Sequence, residues 1–173
     1  MAEHVILVVG PAGSGKSTAI ATLFGAEDDG TGGLAGAATA VDFGQLELGP
    51  GETVRVYGVP AHGRYDYMWQ ILKRRALGVL ALVSGAEAAP VAELLAVVDE
   101  FAELQARGGL LVGITHADAA GSPDPIEVQA ALAARFASRV TPVLTLDPRD
   151  RGQLITAVSV LAASVDSREL FAD

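Results

Sequence analysis

Gly10-Pro11-Ala12-Gly13-Ser14-Gly15-Lys16-Ser17 follows directly on the apolar run Val5-Ile6-Leu7-Val8-Val9. The octapeptide matches G-x-x-x-x-G-K-[ST], and its position after an apolar run carries more weight than the match itself. A strand that ends in a glycine-rich turn and opens a helix gathers successive backbone N–H groups around one anion. The helix N-terminus adds the positive end of its dipole. The reading places Lys16 at the β- and γ-phosphates of a nucleotide and the hydroxyl of Ser17 on Mg²⁺, with Gly10, Ala12, Gly13, Ser14, Gly15 and Thr18 completing the cradle. The segment behind the loop, Thr18 to Phe24, reads as the helix this geometry needs.

Outward from this loop, apolar runs alternate with helix-period segments, the pattern of an α/β domain with a mainly parallel sheet. The reading gives a first strand over Val5–Val9 and a helix from Lys16 to about Phe24. The Gly-, Asp- and Glu-rich stretch Gly25–Gly36 reads as a mobile loop. Strands over Ala38–Leu48 and Thr53–Tyr57 are joined by Gly49-Pro50-Gly51, which makes them an antiparallel hairpin. A fourth strand spans Val79–Val83, a continuous apolar run suited to burial on both faces. Pro90 opens a helix to about Arg107, with Val91, Leu94, Leu95, Val98, Phe101 and Leu104 on one face. Gly108-Gly109 ends it. Strands over Leu110–Ile114 and Val140–Leu146 flank a helix over Pro125–Phe136, and a last helix runs from Gln153 to Val165. The expectation is a six-stranded, mostly parallel sheet with one antiparallel hairpin strand and about five helices, in one domain over residues 1–173.

The composition sets limits. The 173 residues suffice for one domain with a sizeable core. Half of them are apolar, yet only 5% are aromatic, and the mean hydropathy is +0.37. The longest candidate membrane stretch, Leu154–Val165, holds Thr156, Ser159 and Ser164 and is too short to span a bilayer. The N-terminus lacks a basic segment and leads straight into the first strand, so no signal peptide is expected. Cysteine is absent, which leaves no disulfide framework and no thiolate metal site. A net charge of −9 and a pI near 4.7 argue against nucleic acid as a partner. A soluble, cytoplasmic protein is the expectation.

With these elements in place the chain resembles a bacterial Ras-like small GTPase of the P-loop NTPase class over nearly its whole length. It is most similar to the polarity-controlling GTPases of gliding bacteria and the conservon-type GTPases of actinobacteria. Val56-Tyr57-Gly58-Val59-Pro60-Ala61-His62, followed by Tyr65-Asp66-Tyr67-Met68-Trp69, is similar to their second switch, and Val41-Asp42-Phe43-Gly44 to the strand after their first. The resemblance implies GTP or GDP with Mg²⁺ as ligands, the Ala61 N–H at the γ-phosphate and His62 facing the attacking water. It also implies regulatory partners of the roadblock type at the switch loops. Of the aromatic trio Tyr65, Tyr67 and Trp69, some should be exposed and serve such a surface, since alternate positions cannot share one helical face. The short basic cluster Lys73, Arg74 and Arg75 reads as a solvated helix face.

Departures from the family pattern point to weak chemistry. Gly58 stands where an Asp supports the Mg²⁺ shell, Ala61 replaces a flexible glycine, and Ala12 puts a methyl group beside the γ-phosphate. The first-switch threonine that closes over Mg²⁺ could be Thr39, although a strict alignment puts Ala38 there. Phosphoryl transfer depends on positioning and electrostatics, so each loss slows hydrolysis. At the base end, Thr115-His116-Ala117-Asp118 takes the place of Asn/Thr-Lys-x-Asp in the family. Asp118 can accept from N1 and N2 of guanine, and the ring of His116 could cover the base. In Asp147-Pro148-Arg149-Asp150 relatives offer a backbone N–H to guanine O6; Pro148 has none, so Arg149 would have to supply it. The expected function is a guanine-nucleotide switch with slow hydrolysis. The alternative is a hydrolysis-deficient binding module. A small metabolite kinase fits less well, because no lid-like insertion is visible.

Overall fold

The computed structural model describes residues 2–11, 13–24, 42–58, 71, 74–136 and 140–172. Ala12, Thr39, Ala61, His62, the trio Tyr65, Tyr67 and Trp69, the stretch Gly25–Gly36 and the first part of the predicted hairpin strand lie outside them. Strands β1 (Ala2–Val9), β2 (Asp42–Gly49), β3 (Glu52–Gly58), β4 (Gly78–Ser84), β5 (Leu110–Thr115) and β6 (Val143–Thr145) form one sheet in the order β2-β3-β1-β4-β5-β6. Only the β2–β3 pair is antiparallel; β1 pairs in parallel with both β3 and β4. The fold is α/β with a six-stranded, mostly parallel sheet, as the alternation of apolar runs predicts.

Two-residue periodicity sorts the central strands between two apolar layers. Val5, Leu7 and Val9 of β1 join Val79, Ala81 and Val83 of β4 and Leu110, Val112 and Ile114 of β5 on one face. Helices α2 (Pro90–Val98) and α4 (Pro125–Arg135) cover that face through Leu94, Val98, Val128 and Leu132. Ile6, Val8, Leu80, Leu82 and Leu111 point to the other face. There α1 (Lys16–Phe24) and α5 (Arg151–Ala172) contribute Ile20, Leu23, Leu154, Val158 and Leu161. Strands covered on both faces have no polar alternation to display, which is why β4 and β5 read as unbroken apolar runs.

The first strand opens at Ala2, ahead of Val5, by pairing with Glu52–Val54 of β3, and three further elements differ from expectation, each for a local reason. The helix predicted from Pro90 to Arg107 is interrupted by a 3₁₀ turn over Asp99–Phe101 before α3 (Ala102–Ala106). Val98, Phe101 and Leu104 are all buried at a spacing of three, the period of the tighter helix. Strand β6 is shorter than Val140–Leu146 because Val140 is exposed and Thr141 turns inward to accept from Gln105 Nε2 at 3.0 Å. The ladder still reaches past its ends: Pro142 O accepts from Val112 N, and Leu146 N donates to Ile114 O. Helix α5 starts two residues early, since Asp150 caps it by accepting from the backbone N–H of Gln153 at 3.2 Å and from its Nε2 at 3.1 Å. It also runs on to Ala172. Among the described residues no helix is long and apolar enough to cross a membrane.

Candidate functional site

β1 and β4 are neighbours whose following segments leave in opposite directions, to β2 and β3 on one side and to β5 on the other. Ligand clefts in open α/β sheets form outside the carboxyl ends of strands at such a reversal. A cleft of about 860 Å³ lies there, within the usual range for a small-molecule site. Its walls come from the β1–α1 loop, the segment after β5 and the segment after β6. Of the residues singled out in the sequence, Gly13, Gly15, Lys16, Ser17, Thr18, His116, Asp118, Pro148 and Arg149 line it. Gly10, Ser14 and Thr115 stand behind the wall as its support.

The glycine-rich loop is held by backbone geometry. Gly10, Gly13 and Gly15 adopt φ of 154°, 85° and 102°, values L-residues rarely take. A side chain on Gly10 would drive into Leu82 O and Ser14 Oγ, and one on Gly15 would meet Pro148 Cγ at 3.1 Å. Ser14 N donates to Pro11 O at 3.1 Å, and Ala19 N to Gly15 O at 2.8 Å, which starts α1. Behind the loop Thr115, fully buried, donates its hydroxyl to Ser14 O at 2.8 Å. That bond fixes the loop to the end of β5. Lys16 folds back over the turn, donating from Nζ to Gly10 O at 2.7 Å and to Pro11 O at 3.4 Å. Partial burial lowers its pKa, because desolvation penalises the ammonium form.

One feature of this loop fits an anion: Lys16 Nζ lies half-buried on the cleft wall with only carbonyl oxygens as its partners, and the glycine positions leave a phosphate's approach clear of side chains. The buried hydroxyl of Ser14, beside Gly10 and Leu82 O and off the cleft wall, has no hydrogen-bond partner among the described residues. For a metal the described residues offer less. No group of three or more His, Cys, Asp or Glu side chains among them could hold one. Ser17 lies on the cleft wall and is the one predicted Mg²⁺ ligand within the described residues. Gly58 closes β3 opposite Val8 of β1, with no carboxylate of its own at that strand end.

The far end of the cleft is built from side chains. His116 takes φ of 51°, and its Nδ1 lies 2.9 Å from Ser84 Oγ, which also accepts from Ala86 N at 3.1 Å. The ring is thus tied to the end of β4. His116 O in turn accepts from Ala119 N, which closes the turn bearing exposed Asp118. Beyond β6, Asp147 folds an Asx turn: its Oδ1 accepts from Arg149 N at 2.9 Å and from Arg149 Nε at 3.0 Å, and its Oδ2 from Arg149 Nη2 at 3.2 Å. These bonds, the side-chain ones first, hold the Asp147 carboxyl below the usual carboxylate range and raise the Arg149 guanidinium. Asp118 adds last to the latter shift, and both residues line the cleft.

The backbone N–H of Arg149, expected to stand in for the donor that Pro148 lacks, donates to Asp147 Oδ1 at 2.9 Å. The neighbouring amides are engaged too: Asp147 N donates to Gln153 Oε1 at 2.8 Å, and Asp150 N to Asp147 O. Pro148 itself is buried against Gly15 and serves as the spacer between the two ends. Sequence reasoning missed Asp147 and Gln153 as wall residues and Ser84 as a support. The signals were present in Asp-Pro-Arg, an Asx-turn pattern, and in Asp150-Arg-Gly-Gln153, a helix start. In comparisons with known proteins, the chain matches no protein-family model and no curated protein.

Proposed function

We propose that the protein is a guanine-nucleotide-binding switch of the Ras-like, P-loop class, with slow GTP hydrolysis. One observation carries the reading: the motif loop and the two predicted base loops line a single cleft at the carboxyl ends of the parallel strands. The β1–α1 loop would hold the phosphates through its backbone N–H groups and Lys16. Ser17 would hold Mg²⁺, which spreads the phosphate charge, with the remaining ligands from phosphate and water. Asp118 would accept from the N1 and N2 edge of guanine, and His116, fixed by Ser84, would cover the base. Slow turnover follows from Gly58, Ala61 and Ala12 as read in the sequence, and His62 remains the residue proposed to orient water. A partner of the roadblock type would act on these switch residues.

Gly58 favours a second reading, a nucleotide-binding interaction module that does not hydrolyse. The residue has no side chain with which to order a metal-bound water. Chromatography of the nucleotide released from purified protein, followed by titration with GTP, GDP and ATP analogues, tests the common part. Tight, Mg²⁺-dependent binding of guanine nucleotides is expected; equal affinity for ATP refutes it. Single-turnover hydrolysis, with and without a partner, then separates switch from module.

A further inference from the structure

Asp118 and Arg149 line the same cleft, as an acceptor and a donor with different degrees of freedom. Asp118 is an exposed carboxylate on a short turn. Arg149 is exposed as well, but Asp147 grips Nε and Nη2 in a fork and holds the backbone N–H of Arg149 at the same time. Both ends of that residue are therefore fixed by one carboxylate. The grip turns the inner edge of the guanidinium toward Asp147, and the Nη1 edge is unengaged among the described residues. Guanidinium donors are planar and always charged, so a clamped one is a directional reader of a carbonyl oxygen. Backbone donors are not available in this segment, because Asp147, Arg149 and Asp150 have theirs engaged and Pro148 has none.

We infer that the Arg149 guanidinium, oriented by Asp147, reads the 6-keto oxygen of a purine whose N1–H and N2–H are read by Asp118. The inference rests on the nucleotide reading above and assigns the side chain that reads the 6-keto oxygen at that site. A 6-oxopurine with a 2-amino group satisfies the donor and the acceptor together. Adenine, with an unprotonated N1, no 2-amino group and a 6-amino donor in place of the keto oxygen, offers that carboxylate neither bond and gives the guanidinium no acceptor. Asp147 is a positioning residue, and Arg149 is the specificity-determining one.

The test compares GDP with 6-thioguanosine diphosphate, which keeps N1–H and N2–H but replaces O6 by sulfur, a weak acceptor. Affinities are measured calorimetrically for the full chain and for Arg149→Ala, a change at a side chain that is 81% exposed. The wild type is expected to prefer GDP by about ten- to a hundredfold, the range of a charge-assisted hydrogen bond. Arg149→Ala is expected to lower GDP affinity by that factor, leave the thio analogue unchanged, and so abolish the preference. Arg149→Ala retains the backbone N–H, so a preference that survives it assigns O6 to the main chain and overturns the inference. Equal loss for both nucleotides makes Arg149 a cover for the base and also overturns it. In either case GDP still binds and the nucleotide reading stands; a wild type that binds neither nucleotide removes both.

Discussion

At the β1 end of the cleft the working groups are backbone amides and one half-buried amine, fixed by three positive-φ glycines and a buried Thr115 bond. At the β5–β6 end they are exposed side chains, tied to one another by Ser84–His116 and Asp147–Arg149. The first end is shaped by sterics and tolerates almost no change. The second is shaped by hydrogen bonds in water, where each contact contributes little to stability and much to direction. Affinity and fold are therefore expected to respond together at one end and separately at the other.

Gly10→Val should have the largest effect on the rigid end. A branched side chain there meets Leu82 O and Ser14 Oγ in a backbone conformation that suits glycine. Overpacking and strain together should cost about 2–5 kcal/mol, read as loss of the folded baseline in thermal denaturation. A soluble variant of unchanged Tm would show that the loop is less confined than its geometry implies.

Lys16→Met separates binding from fold within the same end. Affinity for GTP should fall by roughly a hundredfold or more, since a charge-assisted contact to phosphate is lost. Stability should hold or rise at neutral pH, because Met fills the space without the desolvated charge. The sign with pH follows from the lowered pKa. Between that value and 10.5 the unfolded chain binds more protons than the folded one, so wild-type stability gains with rising pH there and the variant lacks that gain. A Tm well below wild type would make Lys16 a structural tie to Gly10 O.

Thr115→Val sharpens the link between the ends. The isosteric change leaves Ser14 O buried without its donor and should cost about 1–3 kcal/mol in chemical denaturation. Affinity should fall as well, because the loop loses its anchor to β5.

Legibility in the sequence divides along the same line. The glycine loop could be read because only a few residue types tolerate its backbone. The two-faced burial of β4 could be read because a short apolar run without alternation suits a strand covered on both sides. The break at Asp99–Phe101 was not legible, since a three-residue spacing of apolar positions also fits an α-helix. His116 and Asp118 could be proposed through the resemblance, which places them after the fifth strand. Their partners could not, because Ser84 is 32 residues away and the contact exists only once β4 and β5 lie side by side. The fate of the Arg149 N–H turned on a two-residue Asx turn that competes with any ligand for the same donor.

The smallest expected effect is the most specific to the side-chain end. Hydrogen bonds from Arg149 hold the Asp147 carboxyl below its ordinary value, so its titration by carboxyl-carbon NMR should have a midpoint below the usual aspartate value of about 3.9. A depressed folded-state pKa means the pair contributes stability above the unfolded value and loses it as pH falls through the lower, folded one. That contribution is screened by solvent at so exposed a pair, and Arg149→Ala should leave Tm at pH 7 unchanged while returning the midpoint to the ordinary range. An unshifted wild-type midpoint would mean that the fork is not held in solution. Arg149 would then be as free as any surface arginine, and the contrast between a rigid phosphate end and a directional base end would reduce to one between buried and exposed.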